Sequence, residues 1–132
     1  MSERDTTVIS QEARAGDLVP RVATLDGFAD AASASAGLSL LDLDPLTELH
    51  VETCNSLYRI VVSHRTDVLV QGGRFFPVTT AARLAGATFG GSLIKLAWIG
   101  VGMCMEIYGD EGPIVTSPVR RIHLARPDER TH

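Results

Sequence analysis

The sequence predicts an all-β protein: a small antiparallel β-barrel or compact sandwich with a flexible acidic N-terminal arm. From Leu49 onward, β-branched and aromatic residues alternate with polar ones, which is typical of half-buried strands. Turn residues recur at the short spacing expected of a small sandwich or barrel. No part of this region alternates strands with long helices, so a doubly wound parallel sheet is disfavoured.

Composition supports one folded domain without membrane spans. The chain has 132 residues, of which 45% are hydrophobic and 21% charged. The net charge of −4 disfavours non-specific binding to a phosphate backbone. The longest apolar run, residues 96–105, is too short for a membrane helix, which needs about 20 residues. The first residues show no basic stretch followed by an apolar one, so we expect a cytoplasmic protein without a membrane partner.

The charge distribution divides the chain into three parts. Eight acidic residues against three arginines fall within residues 1–47. Residues 29–37 are small and polar and have little side-chain surface to bury. We therefore predict an acidic flexible arm over 1–45, with a short helix near Leu25 as one option, an antiparallel β domain over 46–125 and a charged tail over 126–132.

The first strands of the β domain show a change of phase. In residues 49–53 the apolar side chains occupy odd positions, whereas in residues 58–62 they occupy even ones. A regular strand cannot keep both sets on one face. We predict a bulge or sharp corner at Asn55 and Ser56 that reconciles them.

Glycine and proline mark the remaining elements. We predict a turn at residues 63–66, a strand over 67–71, a reversal at Gly72 and Gly73, and a strand over 75–87. Pro77 restricts the start of that strand to an edge or a bulge.

Residues 93–108 are too long for one flat strand, and Gly100 and Gly102 allow a bend there. A hairpin is predicted at residues 109–112. After Pro118, residues 119–124 form a last edge strand or a short turn and strand.

Residues suited to catalysis or metal binding show no recognisable arrangement. Cys54 and Cys104 are predicted to be buried, reduced thiols. His50 and Glu52 alternate onto one strand face, but no established metal-ligand spacing is present. We expect no metal, no cofactor and no enzymatic activity. A small enzyme with a cleft between the arm and the barrel stays open as a third hypothesis.

An arginine beside two aromatic rings is the main binding candidate. Consecutive strand residues point to opposite faces, so one of Phe75 and Phe76 fills the core and the other is available to an interface. With nearby arginines these residues form the predicted binding set: Arg74, Phe75, Phe76, Arg83, Arg120 and Arg121.

The arm holds a second candidate, Leu40, Leu41 and Leu43, in an apolar-acidic alternation similar to peptide motifs that bind adaptor and sliding-clamp pockets. The alternative is a strap that lays Leu41, Leu43 and Leu46 across an open edge or barrel mouth.

Three segments together resemble a group of small, uncharacterised bacterial all-β proteins. They are V-E-T-C-N-S-L-Y at residues 51–58, G-G-R-F-F-P at 72–77 and I-V-T-S-P-V-R at 114–120. The resemblance covers residues 46–122 and implies an all-β fold and a bacterial origin. It implies no activity or ligand.

These observations favour a non-enzymatic binding or interaction module that self-associates through an exposed strand edge, its partner being itself or another protein. The alternative is a single-stranded nucleic-acid binder that uses Arg74, Arg83, Arg120 and Arg121.

Overall fold

The computed structural model describes residues 36–125 and the backbone of residues 7–10. This part of the chain forms eleven strands and one 3-10 helix, η1. Their bounds are β1 Thr7–Ser10, β2 Gly37–Ser39, η1 Leu40–Asp42, β3 Glu48–Thr53, β4 Leu57–His64, β5 Asp67–Gly72, β6 Phe76–Thr88, β7 Lys95–Leu96, β8 Trp98–Gly100, β9 Cys104–Gly109, β10 Gly112–Val115 and β11 Val119–Ala125.

One long antiparallel sheet accounts for most of the fold. Its strands lie in the order β1-β11-β3-β4-β5-β6-β9-β10, and β7 pairs with β6 off this path. Strands β2 and β8 form a separate two-stranded ladder. The first and last strands of the described sheet do not pair, so it is not closed into a barrel. The predicted all-β class is confirmed, and the compact sandwich is the form that fits.

Alternation places one face of each main strand in a shared core. Val51 lies opposite Tyr58 on β4 and Ile122 on β11, and all three are buried. Burying one aliphatic side chain contributes about 1.5–3 kcal/mol, so this row stabilises the pairing of β3 with both of its neighbours. The buried core cluster comprises Leu40, Leu49, Val51, Tyr58, Ile60, Val62, Val68, Val70, Phe76, Leu84, Ala97, Ile99, Val101, Met105, Ile107, Val119, Ile122 and Leu124.

Val119 links strand β3 to residues 102 and 103, which precede β9. It lies opposite Thr53 in the β11–β3 ladder. Its N–H donates to the Met103 carbonyl at 2.9 Å, and its own carbonyl accepts from Gly102 at 2.8 Å. The start of β11 therefore bridges two otherwise distant parts of the fold.

The change of phase near Asn55 is a hairpin, and the predicted bulge or corner is wrong. Strand β3 ends at Thr53 and β4 begins at Leu57, and the two strands pair with each other. The Thr53 hydroxyl accepts the backbone N–H groups of Asn55, at 3.3 Å, and Ser56, at 3.0 Å. The parity changes because the chain reverses, which lets both apolar sets face the same core.

The other predicted reversals are confirmed. The turn after β4 places Arg65 at φ 59°, and the β9–β10 hairpin closes on the pair Gly109 and Gly112. The extended conformation is interrupted between β8 and β9, where Gly102 has φ 90°. The ladder between β5 and β6 shifts register next to Pro77, as its ring requires.

The β domain extends into the segment predicted as the arm. Strand β2 and η1 belong to it, and the Leu40 N–H donates to the Ala97 carbonyl at 2.7 Å. Strand β11 has β3 on one side and β1 on the other, so it is not an edge of the described sheet. The short helix near Leu25 and the tail over 126–132 lie outside the described residues.

Gly72 is expected to be intolerant of a side chain. It has φ 138°, and a Cβ there would lie 2.2 Å from the Leu57 carbonyl oxygen. We expect Gly72→Ala to lower the free energy of unfolding by about 2 kcal/mol or more, because strand β4 would have to move. Gly91→Ala is the matched control, since a Cβ at Gly91 meets nothing within 4 Å. Urea denaturation of both variants measures the difference, and equal stabilities would contradict the close approach of β4 and β5.

Candidate interaction surface

The two neighbouring phenylalanines lie on opposite faces, as the alternation predicts. Phe76 begins β6 and is 2% exposed within the core cluster. Phe75, in the turn before it, is 56% exposed. The fold therefore uses one ring for stability and leaves the other at the surface.

Phe75 belongs to a surface that we call the hairpin end. It consists of the turns at residues 54–56 and 73–75 with their flanking residues, and the first residues of β11. These turns share one end of the sheet because β3 and β5 run toward it, whereas β4, β6 and β11 run away from it. Two further exposed apolar side chains, Leu57 and Val78, flank Phe75 there.

Short turns and side-chain bonds hold the hairpin end in place. The pair Gly72 and Phe76 closes the three-residue turn 73–75. Gln71 crosses to the bulged start of β6, where its amide donates to the Pro77 carbonyl at 3.4 Å and its oxygen accepts from the Thr79 hydroxyl at 3.1 Å. The surface around Phe75 is thus built on a fixed backbone.

The structure brings three of the four predicted arginines to this end. Arg74 and Arg120 are exposed and form no ion pair with any described residue. Arg121 is paired with Glu52 at 3.1 Å. Arg83 lies apart, because it pairs with Asp67 at the opposite end of β5. Its guanidinium stacks over the Tyr108 ring at 5.2 Å.

Two open edges of the described sheet, at β10 and at the bulged start of β6, are poorly suited to pairing with another chain. The outer edge strand β10 contains Pro113, which has no N–H to donate. On the bulged part of β6, the Thr80 hydroxyl donates to the Val78 carbonyl at 2.8 Å and occupies it. These features disfavour strand addition at β10 and at the bulged part of β6.

The leucine motif of the arm is mostly part of the fold. Leu40 is fully buried, and Leu43 packs against the core from a half-buried position. Only Leu41, 48% exposed, is accessible to a partner. The predicted strap is wrong in its residues: of Leu41, Leu43 and Leu46 only Leu43 packs against the core, and Leu46 is 57% exposed. Leu38 and Leu40 supply the other core contacts of this segment.

The outer face of β11, β3 and β4 carries a polar cluster and a shallow groove. Glu48 accepts hydrogen bonds from Arg59 at 2.9 Å and His50 at 2.7 Å. His123 lies directly opposite His50 on the neighbouring strand. Only the strand register reveals this pairing, because no residue spacing in the chain signals it. The groove has a volume of about 450 Å³ and is lined by Glu48, His50, Glu52, Leu57, His123, Leu124 and Ala125.

The hydrogen bonds to Glu48 determine its ionisation. Partial burial opposes the charged form, but the bonds from Arg59 and His50 outweigh this effect, so the pKa of Glu48 lies below its ordinary value. The cluster is therefore a structural ion pair at neutral pH.

Within the described ranges, no group of three or more His, Cys, Asp or Glu side chains could hold a metal ion. Cys54 is exposed and Cys104 half-buried, and neither forms a disulfide. The prediction of two buried thiols is therefore wrong for Cys54, which lies in the turn after β3. Burial raises the pKa of Cys104, and the nearby Cys54 adds to this, which keeps the Cys104 thiol protonated and weakly nucleophilic at neutral pH.

Comparison with known protein families, with curated proteins and with solved structures finds no match. The resemblance to small bacterial all-β proteins accordingly stays a prediction. Among the described residues, no helix has the length and apolar character needed to cross a membrane.

Glu48 is expected to stabilise the fold in a pH-dependent manner. Because its folded pKa is lowered, its contribution is present above the unfolded value of about 4.3 and is lost as the pH falls through the folded value. Glu48→Gln should lower the free energy of unfolding by about 1 kcal/mol at pH 7 and by much less near pH 3.

Urea denaturation at both pH values measures this difference. Glu111→Gln serves as the control, since Glu111 is exposed and forms no ion pair with a described residue. A Glu48 deficit that is equal at both pH values would contradict the assigned role.

Proposed function

We propose that this protein is a non-enzymatic interaction module that self-associates through its hairpin end. The observation that carries the proposal is the exposed Phe75 ring, with Leu57 at 61% and Val78 at 66% exposure near it. Aromatic side chains on a well-ordered surface are frequent energetic centres of protein interfaces.

A second copy of the chain is a suitable partner for such a surface. Contact across a two-fold axis presents the same patch on both sides, so both Phe75 rings lose their exposure to water in one event. The turn that carries Phe75 is closed by the ladder pair next to it, so little backbone freedom is lost on binding.

Single-stranded nucleic acid is the second candidate. Arg74 has no ion-pair partner in the described part and lies next to the exposed Phe75 ring, and bases stack on such rings. Engagement of Arg83 by Tyr108 and of Arg121 by Glu52 weakens this candidate. Titration with a single-stranded oligonucleotide at two salt concentrations distinguishes nucleic-acid binding from self-association. Neutralisation of phosphates makes the affinity for the oligonucleotide fall steeply with salt.

Sedimentation velocity at micromolar concentration tests self-association. We expect the wild type to associate and Phe75→Ser to raise the dissociation constant about tenfold or more, while its urea denaturation midpoint stays near that of the wild type. Phe75 is outside the core cluster, so we expect its loss to affect binding more than folding.

Two variants serve as controls. Leu96→Ser removes an apolar side chain that is more exposed still, at 74%, and far from the hairpin end, and it should leave association unchanged. Phe76→Ala should instead lower the free energy of unfolding by about 3–5 kcal/mol. A monomeric wild type, or equal association by the Phe75 and Leu96 variants, would exclude the proposal.

A further inference from the structure

We propose that strand β1 pairs edge to edge with β1 of a second copy, in antiparallel orientation, with Ile9 of both copies on the two-fold axis. The pairing joins the two sheets into one continuous sheet. Strand β5, which leads into the turn that carries Phe75, is four strands away from β1. This interface therefore goes beyond the contact proposed above and does not use the Phe75 ring.

Strand β1 forms an end of the described sheet that carries no protection against pairing. It pairs with β11 in a regular register over Thr7–Ser10, and no strand of the described part lies on its other side. Its four residues are uncharged, and three of them are β-branched. Edge strands that avoid other chains carry charges, prolines or bulges, as β10 does with Pro113. Strand β1 has none of these features.

Hydrogen bonds at the end of β3 establish how the ladder alternates. The Thr53 N–H donates to the Ser56 carbonyl at 2.8 Å, toward β4. The Cys54 N–H donates to the Pro118 carbonyl at 3.0 Å, toward β11. Successive residues of an antiparallel strand bond alternately to its two neighbours. The even-numbered residues of β3 therefore bond to β11.

The same alternation continues across β11 to β1. His123 lies opposite an even-numbered residue of β3, so it bonds to β3, and the residues on either side of it bond to β1. Those two residues lie opposite Thr7 and Ile9. The backbone N–H and C=O groups of Val8 and Ser10 consequently point away from β11, toward the open side of β1.

One register uses all of these outward groups. When Ile9 of one copy lies opposite Ile9 of the other, Val8 of each copy lies opposite Ser10 of the other. Each such pair exchanges two backbone hydrogen bonds, so no outward N–H or C=O of the strand is left over. A shift in either direction leaves some of them without a partner strand.

A second copy is the occupant that this edge fits. The pairing is identical on both sides, as a two-fold axis requires. The charge beside the strand does not oppose it, because Arg121, opposite Ser10, is already paired with Glu52 at 3.1 Å. An uncharged strand thus meets its own equivalent without bringing this arginine against an unpaired copy of itself.

Proline substitution tests the pairing. Val8→Pro removes an N–H that points outward, so it should block the contact between copies and keep the bonds from β1 to β11. Val8→Thr is the matched control, because it keeps both the N–H and a β-branched side chain. With both made in Phe75→Ser protein, sedimentation velocity measures association through β1 alone. We expect Val8→Pro to raise the dissociation constant about tenfold or more relative to Val8→Thr.

Disulfide cross-linking tests the register. The two Ile9 residues would form a non-hydrogen-bonded pair with Cα atoms about 4.5 Å apart, a separation that a disulfide spans. In Cys54→Ser protein, Ile9→Cys should give a covalent dimer with oxidised glutathione. The two thiols pass two protons and two electrons to the glutathione disulfide, which leaves as two molecules of reduced glutathione. Val8→Cys, which lies opposite Ser10 of the other copy, should cross-link about tenfold more slowly.

The outcomes distinguish this interface from the hairpin end. Equal association of the Val8→Pro and Val8→Thr proteins, or cross-linking at residue 8 as fast as at residue 9, overturns the pairing of β1. A Phe75→Ser protein that is monomeric where the wild type associates also overturns it, and contact through the hairpin end then stands. Association that Val8→Pro weakens but Phe75→Ser does not supports the pairing of β1 and overturns the hairpin end. A monomeric wild type overturns both.

Circular dichroism and a urea denaturation midpoint for each variant show whether loss of association is loss of folding. If Val8→Pro fails to fold, the comparison of Ile9→Cys with Val8→Cys decides, because neither substitution removes a backbone N–H.

Discussion

The fold depends on one shared interior to which seven strands contribute buried side chains. Leu49, Ile60, Val70 and Ile107 lie on different strands and are all completely buried in the same cluster. A single core of this kind requires a curved sheet, and it fixes which side chains remain outside. The placement of Phe76 in that interior is what leaves its neighbour Phe75 at the surface, so the candidate interface is a direct result of core packing.

Much of this pattern can be predicted from local sequence. Alternation identified the strands from β3 to β6, polar residues identified the turn after β4, and glycines identified the reversal after β5. Local sequence could not identify how the strands pair. The change from odd to even apolar positions at Asn55 is compatible with a bulge or with a hairpin. Only the pairing of Val51 with Tyr58 shows that it is a hairpin. Likewise, local sequence assigns Leu40 to the acidic arm, whereas the hydrogen bond from its N–H to the Ala97 carbonyl places it in the β domain.

The same limit applies to the candidate site. Because consecutive strand residues point to opposite faces, one of Phe75 and Phe76 was predicted to be buried and the other exposed. This prediction is correct. Strand order is needed to know which arginines lie together. Arg83 was predicted to lie with Arg74, but it pairs with Asp67 at the end of β5 that is far from Arg74. The pairing of His50 with His123, and that of Arg83 with Tyr108, are properties of topology that no spacing in the chain encodes.

The position of the chain's single tryptophan has a practical consequence. Trp98 packs with Ala87 and Met103 in the smaller cluster, and Lys95 lies 3.7 Å from its ring centre. Ala87 is near the end of β6 that is opposite Phe76. Intrinsic emission from this indole therefore reports on the integrity of the tertiary structure and is insensitive to events at the far end of the molecule, so one optical signal can follow unfolding without interference from assembly.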